Sequence, residues 1–149
     1  MDVPRHYSKT IVRVRYAETD QMGVVYHTNF LIWFEVGRTE YIRERGLSYR
    51  TMEEKGVYLP VLESHCRIVA SARFEDAVEI RTWIDEMKTR KMTFAYEARR
   101  GEEILARGTT VHVCLNERRR PIRIPEWVRD GLLPGRVRDG VGNGTSPPA

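Results

Sequence analysis

Cysteine is scarce. Cys66 and Cys114 are the only two, each inside an apolar strand-like segment, and neither belongs to a CxxC or Cys/His spacing. That excludes a disulfide scaffold and a zinc motif, so both read as small residues of a reduced interior. Long apolar runs are missing too. The longest strongly apolar stretch, Phe30 to Phe34, falls far short of the roughly 20 residues a membrane-spanning helix needs. Met1-Asp2-Val3-Pro4-Arg5-His6 lacks the apolar core of a signal peptide, so a cytoplasmic location is expected. There are no internal repeats.

What is present suits one folded domain. The 149 residues include 3 Trp, 7 Tyr and 4 Phe within a 41% hydrophobic composition, which excludes a wholly disordered chain. A chain of this length buries about two-thirds of its unfolded surface without a disulfide or a metal. The balance of 25 Lys+Arg against 21 Asp+Glu leaves a formal charge of +4. The excess is clustered at Lys88, Arg90 and Lys91, at Arg99 and Arg100, and at Arg118, Arg119, Arg120 and Arg123. Such clusters suit an anionic partner or simply solvated turns. No nucleic-acid recognition motif accompanies them, and nucleic acid is not expected as a partner.

Periodicity sets the element order. Lys9 to Tyr16 alternates, with Val12, Val14 and Tyr16 on the expected buried face. From Asn29 to Gly46, Phe30, Phe34, Gly37 and Tyr41 recur at helical spacing, apolar nearly all round at first and charged later. That pattern predicts a helix buried in its first half and surfacing in its second. Ser48 to Lys55 reads as a short second helix. Val57–Ala70, Ala77–Met87, Thr89–Arg99 and Glu103–Leu115 read as strands, with Pro60 marking an edge or bulge. Pro125 to Asp130 reads as a terminal helical turn. The expected architecture is α+β, a five-stranded antiparallel sheet around one long helix. Trp83, Leu105, Val111 and Val113 leave a second apolar face, which argues for a homo-oligomer. Residues 1–131 form the expected single domain. Residues 132–149 form a tail with three Pro and four Gly after residue 133, expected to be disordered.

One stretch carries chemistry: Arg15-Tyr16-Ala17-Glu18-Thr19-Asp20-Gln21-Met22-Gly23-Val24-Val25-Tyr26-His27-Thr28-Asn29-Phe30. It sets a carboxylate, Asp20, in a loop just before an apolar helix whose first N–H groups lack helical partners. A thioester carbonyl turning into an oxyanion would meet those groups, with Asp20 beside it as nucleophile or general base. Asp20 as an ordinary turn or cap residue is the competing reading.

Asp20-x-x-Gly23-Val24-Val25-Tyr26-His27-x-Asn29-Phe30, with Phe34-Glu35 and Arg38-Thr39-Glu40 behind it, resembles the signature of hot-dog-fold acyl-CoA thioesterases. The closest match is the 4-hydroxybenzoyl-CoA thioesterase family, especially its Tol–Pal-associated acyl-CoA thioesterase branch. The resemblance spans roughly Lys9 to Trp127. It implies a sheet wrapped around a central helix, a homodimer with sites at its interface, and a dimer of dimers. It also implies hydrolysis of a CoA thioester with no cofactor and no metal, coenzyme A being part of the substrate. Asp20 matches the catalytic carboxylate, and His27, with Tyr26 beside it, the group whose backbone N–H polarises the carbonyl. Asn29 matches a polar residue at the helix entrance. Thr89, Arg90, Lys91 and Thr93 resemble the segment that holds the CoA phosphates and pantetheine arm. Glu35 is the alternative carboxylate, since a sister branch places its catalytic glutamate on this helix. Two other functions compete: a non-catalytic acyl-CoA or acyl-carrier-protein binding module, and a hot-dog hydratase or dehydratase.

Overall fold

Apolar side chains three and four residues apart wind along residues 28–44. The computed structural model, which describes residues 2–133, folds them into one helix, α1 (Thr28–Glu44). Its buried stripe is Phe30, Trp33, Phe34, Gly37, Arg38, Tyr41 and Ile42, one face of a 3.6-residue repeat. The expected split into a buried first half and a solvated second half is not what forms. Leu31, Ile32 and Glu35 are exposed in the first two turns, whereas Tyr41 and Ile42 are fully buried near the end. A helix laid along a sheet buries a stripe over its whole length, not one end.

The sheet contains β1 (Ser8–Arg13), β2 (Val61–Ile68), β3 (Ala77–Met87), β4 (Lys91–Arg100) and β5 (Glu103–Val113). Their order is β1-β3-β4-β5-β2, and every pairing is antiparallel. Among the described residues, short helices α2 (Tyr49–Glu54) and α3 (Glu126–Leu132) and a 3-10 turn at Tyr16–Glu18 complete the elements, and Leu132 is fully buried. The result is the hot-dog arrangement, five antiparallel strands curved around a central helix. The expected disordered tail falls, from residue 134 onward, outside the described residues.

Two glycines let α1 sit close to the sheet. A Cβ on Gly37 would run into Thr82 Oγ1 and come within 2.7 Å of Ile80 Cγ2, both on β3. A Cβ on Gly108 of β5 would run into the His65 carbonyl and lie 2.5 Å from the Phe34 ring. With no side chain at residue 108, Phe34 stacks on Tyr96 of β4, centroids 4.5 Å apart and planes 6° from parallel. Met92, Phe94, Tyr96 and Ala98 all face this core, as their period-two spacing predicts.

Three expectations change on the sheet margins. Tyr16 does not continue the buried face of β1. The chain turns at Tyr16–Glu18, and the Tyr16 ring is 76% exposed, edge-on to Phe74. Leu105 does not lie on a second apolar face. It is the extra residue of a bulge opposite Ala98 and Arg99, which rotates it into the core. Trp83 is 4% exposed within one protomer and needs no partner to cover it. The Pro60 signal does mark both an edge and a bulge. β2 is the last strand, its register slips between Val61 and Glu63, and most of its side chains are exposed.

A polar chain crosses the core. The Arg38 guanidinium donates to Tyr49 Oη (2.7 Å) and Tyr96 Oη (3.1 Å). Tyr96 Oη meets Thr110 Oγ1, which lies 2.8 Å from His112 Nε2, and His112 Nδ1 lies 2.9 Å from the Leu59 carbonyl. A carbonyl only accepts, so Nδ1 carries the proton and Nε2 of the neutral ring accepts from Thr110. Every donor then points one way, from Arg38 to Leu59. Burial, with a smaller push from the Arg38 charge and against the Leu59 hydrogen bond, brings His112 down from 6.5 to about 4.

Two predictions follow from this packing. The unfolded chain protonates His112 below about pH 6.5, whereas the folded chain resists until about 4. Stability from this residue is therefore complete above pH 6.5 and falls as pH drops through that window, by about 3 kcal/mol in all. Thermal midpoints measured from pH 7 to pH 4.5 should decline, and His112→Gln should flatten the decline. Gly37→Ala should destabilise the fold by about 1–3 kcal/mol in denaturant titrations, because Ile80 and Thr82 are short branched side chains with no room to retreat.

Candidate active site

After the buried Val14 the chain leaves β1, makes the Tyr16–Glu18 turn and closes a small hairpin before α1. Thr19 bridges Val25, Asp20 N–H donates to the Val24 carbonyl (2.9 Å), and Gly23 N–H donates back to the Asp20 carbonyl (2.9 Å). Gly23 takes φ +80, which suits a residue without Cβ. Asp20 is half-buried, and its Oδ1 accepts Met22 N–H at 2.8 Å. The turn role expected as a competing reading is thus present, and it occupies one of the two carboxylate oxygens.

The hairpin ends against the mouth of α1. The first helical hydrogen bonds are donated by Asn29 to Tyr26 (3.0 Å) and by Phe30 to His27 (3.2 Å). His27 is the N-cap, with no side chain capping the turn. The N–H groups of His27 and Thr28 therefore precede the first helical bond, at the positive end of the helix dipole. The Tyr26 and His27 rings lie 4.6 Å apart and both side chains are exposed, as are Met22, Leu31 and Ile32. Asn29 turns its amide inward, donating to the Glu18 carbonyl at 3.0 Å. Glu35 is exposed on the helix, eight residues past His27 and so about 12 Å along the axis.

Asp20, Tyr26, His27 and Asn29 thus share one end of α1. Thr89, Arg90 and Lys91 do not join them. Thr89 and Arg90 lie in the β3–β4 turn and Lys91 opens β4, at the end of the sheet where Tyr41 packs edge-on to Phe94 and its hydroxyl donates to the Leu132 carbonyl. Within one chain the two groups lie toward opposite ends of α1, a helix of 17 residues and about 25 Å. Thr93 alternates with the core-facing Met92 and Phe94, so it lies on the outer sheet face.

Beside this turn opens a cleft of about 490 Å³, lined by Met87, Lys88, Thr89, Arg123, Ile124, Pro125, Glu126 and Arg129. The Arg129 guanidinium holds the turn by donating to the carbonyls of Lys88 (3.0 Å) and Thr89 (3.4 Å), and Ile124 N–H donates to Thr89 (2.8 Å). Sequence reading singled out the turn but not its partners Arg123 and Arg129, which reach it only through the fold. Arg123 was visible as part of a basic cluster. Arg129 gave no signal. Among the described residues, no three His, Cys, Asp or Glu side chains gather as a metal site, and no helix is long and apolar enough to cross a membrane.

The model of the thioesterase-like superfamily matches residues 14–132. YneP of Bacillus subtilis (strain 168) is 38% identical over 128 residues, covering 82% of this chain and 93% of that one. Acyl-CoA thioesterase YbgC of Haemophilus influenzae is 30% identical over 120 residues, covering 79% and 88%. Among solved structures, the DHNA-CoA thioesterase of Staphylococcus aureus superposes with a TM-score of 0.78 at 36% identity, over 83% of this chain and 87% of that one. By sequence and by fold, the chain belongs to the thioesterase-like, hot-dog superfamily.

Proposed function

We propose that this protein is an acyl-CoA thioesterase, hydrolysing a CoA thioester to a free acid and CoA. The observation that supports the reading is that the chain runs from Asp20 through one short hairpin into α1, whose opening N–H groups at His27 and Thr28 have no side-chain cap. CoA-thioester chemistry in the names of the relatives points the same way.

The thioester carbonyl oxygen docks against the N–H groups at the helix mouth, which strengthen as charge builds on it. Asp20 then acts in one of two ways. It attacks the carbonyl carbon, expelling CoA thiolate and leaving a mixed anhydride that water cleaves. Otherwise it takes a proton from water, which attacks directly. Both routes consume one water and release one acid and one thiol. Tyr26 and His27 flank the carbonyl, and Asn29 holds the entrance turn in place.

CoA itself is anionic, and the cleft at Lys88, Thr89, Arg123 and Arg129 suits its phosphates, with Arg90 and Lys91 beside it. The two groups lie toward opposite ends of α1 in one chain, and a second copy, running antiparallel, would bring its own turn toward the helix mouth of the first. The exposed β2 edge and the exposed Leu31 and Ile32 on α1 give such a dimer an unpaired strand and an apolar face to cover. A dimer of dimers is the next level implied by family resemblance.

Thiol release measured with a disulfide reagent over a panel of aliphatic and aromatic acyl-CoAs tests the reading, and no turnover on any of them rejects it. Asp20→Ala should lower kcat by about 10²–10⁴-fold with little change in KM. Arg123→Ala should raise KM for acyl-CoA but leave KM unchanged for a thioester of N-acetylcysteamine, which lacks the nucleotide.

A further inference from the structure

Glu18 is a buried carboxylate, 5% exposed, two residues before Asp20, and the chemistry above gives it no task. Its contacts are many for a loop residue. Oε1 accepts Arg15 N–H at 2.8 Å, and Oε2 accepts the Trp33 indole N–H at 3.1 Å and an Arg15 guanidinium N–H at 3.3 Å. The Glu18 carbonyl accepts Tyr26 N–H at 2.8 Å and the Asn29 amide at 3.0 Å. One residue therefore collects donors from the exit of β1, from the residue before the N-cap, and from the first and second turns of α1.

Those segments carry the reacting groups. Tyr26 immediately precedes His27, and Asp20 hangs from Glu18 through Thr19, whose bridge to Val25 closes the same hairpin. A displacement of Glu18 moves the Asp20 carboxylate and the helix mouth relative to each other. We propose that Glu18 is a positioning residue, clamped by Trp33 and Arg15, which sets the spacing between the Asp20 carboxylate and the N–H groups that open α1. The proposal rests on the thioesterase reading above.

The clamp requires an acceptor at both oxygens. The Arg15 backbone N–H and the Trp33 indole N–H only donate, and both come from fixed elements. Burial pushes the Glu18 carboxyl up, but the Arg15 N–H, the indole and the Arg15 guanidinium together outweigh it and hold the group below its usual value of 4.5. The carboxylate form that the geometry asks for is thus the form present near neutral pH. Glutamine has the same shape but puts an NH₂ group against one of the two donors.

The test compares kcat, KM and thermal midpoint for Glu18→Gln, Trp33→Phe and the double variant, with Asp20→Asn alongside. Glu18→Gln should lower kcat by about tenfold or more with KM held within about threefold, because misplacement of a reacting group acts on the chemical step. Trp33→Phe removes the indole donor while keeping an aromatic ring, and should lower kcat less. The double variant should regain activity over Glu18→Gln alone, since the glutamine NH₂ then faces only the Arg15 guanidinium, an exposed side chain free to swing away, and no longer the fixed indole donor. A folded Glu18→Gln enzyme with kcat within about twofold of the parent would overturn the proposal, as would a loss that only tracks its folded fraction. Should Glu18→Gln fail to fold, Trp33→Phe decides alone, and unchanged kcat there rejects the clamp. Full activity in Asp20→Asn rejects the thioesterase mechanism instead, whereas loss in Asp20→Asn with none at Glu18 rejects only the positioning role.

Discussion

The seating of α1 on the sheet governs the rest of the molecule. Gly37 faces Ile80 and Thr82, Gly108 faces Phe34, and between them the Phe34–Tyr96 stack fills the gap. A helix held this close cannot slide or rotate without driving side chains into one another. Both of its ends are fixed as a result. At one end stand the hairpin of Asp20 and the open N–H groups of His27 and Thr28. At the other, Tyr41 ties the helix to Leu132, near the basic turn.

Two charged groups, Arg38 and Glu18, are buried along that helix and satisfied in different ways. Toward its second half, Arg38 begins a one-way series of hydrogen bonds through Tyr96 and Thr110 to His112. No acidic side chain takes part in that series, and its cost is met by hydroxyls and a neutral imidazole. Near its first turns the buried group is Glu18, satisfied by main-chain and indole donors. The helix thus carries a cationic polar series along its middle and an anionic clamp near its mouth, with aromatic rings between.

Much of this was legible in the residue order. The span of β3 agrees with its alternation at both ends, and α1 starts and stops within two residues of its cap and glycine signals. The closeness of Asp20, Tyr26, His27 and Asn29 was readable because only eight residues, Asp20 to His27, precede α1 and leave few places for them to go. Other features were hidden for physical reasons. Leu105 alternates correctly in sequence, and only a bulge, which depends on β4, turns it inward. Glu18 reads as one more loop acid until Trp33, fifteen residues away, brings its indole to it. The partners of the basic turn, Arg123 and Arg129, arrive from more than thirty residues downstream.

Residues 124–132 do more than close the domain. Ile124 and Arg129 grip the carbonyls of the β3–β4 turn, and Leu132 receives the Tyr41 hydroxyl from beneath the sheet. This terminal piece is a strap whose buckle is the basic cleft itself. A protease nick or a cloning boundary ahead of Ile124 would spare most of the hydrophobic interior. It would nevertheless unfasten the Lys88–Lys91 loop, so damage to the last described helix would register first as a loosened basic cleft and only later as loss of shape.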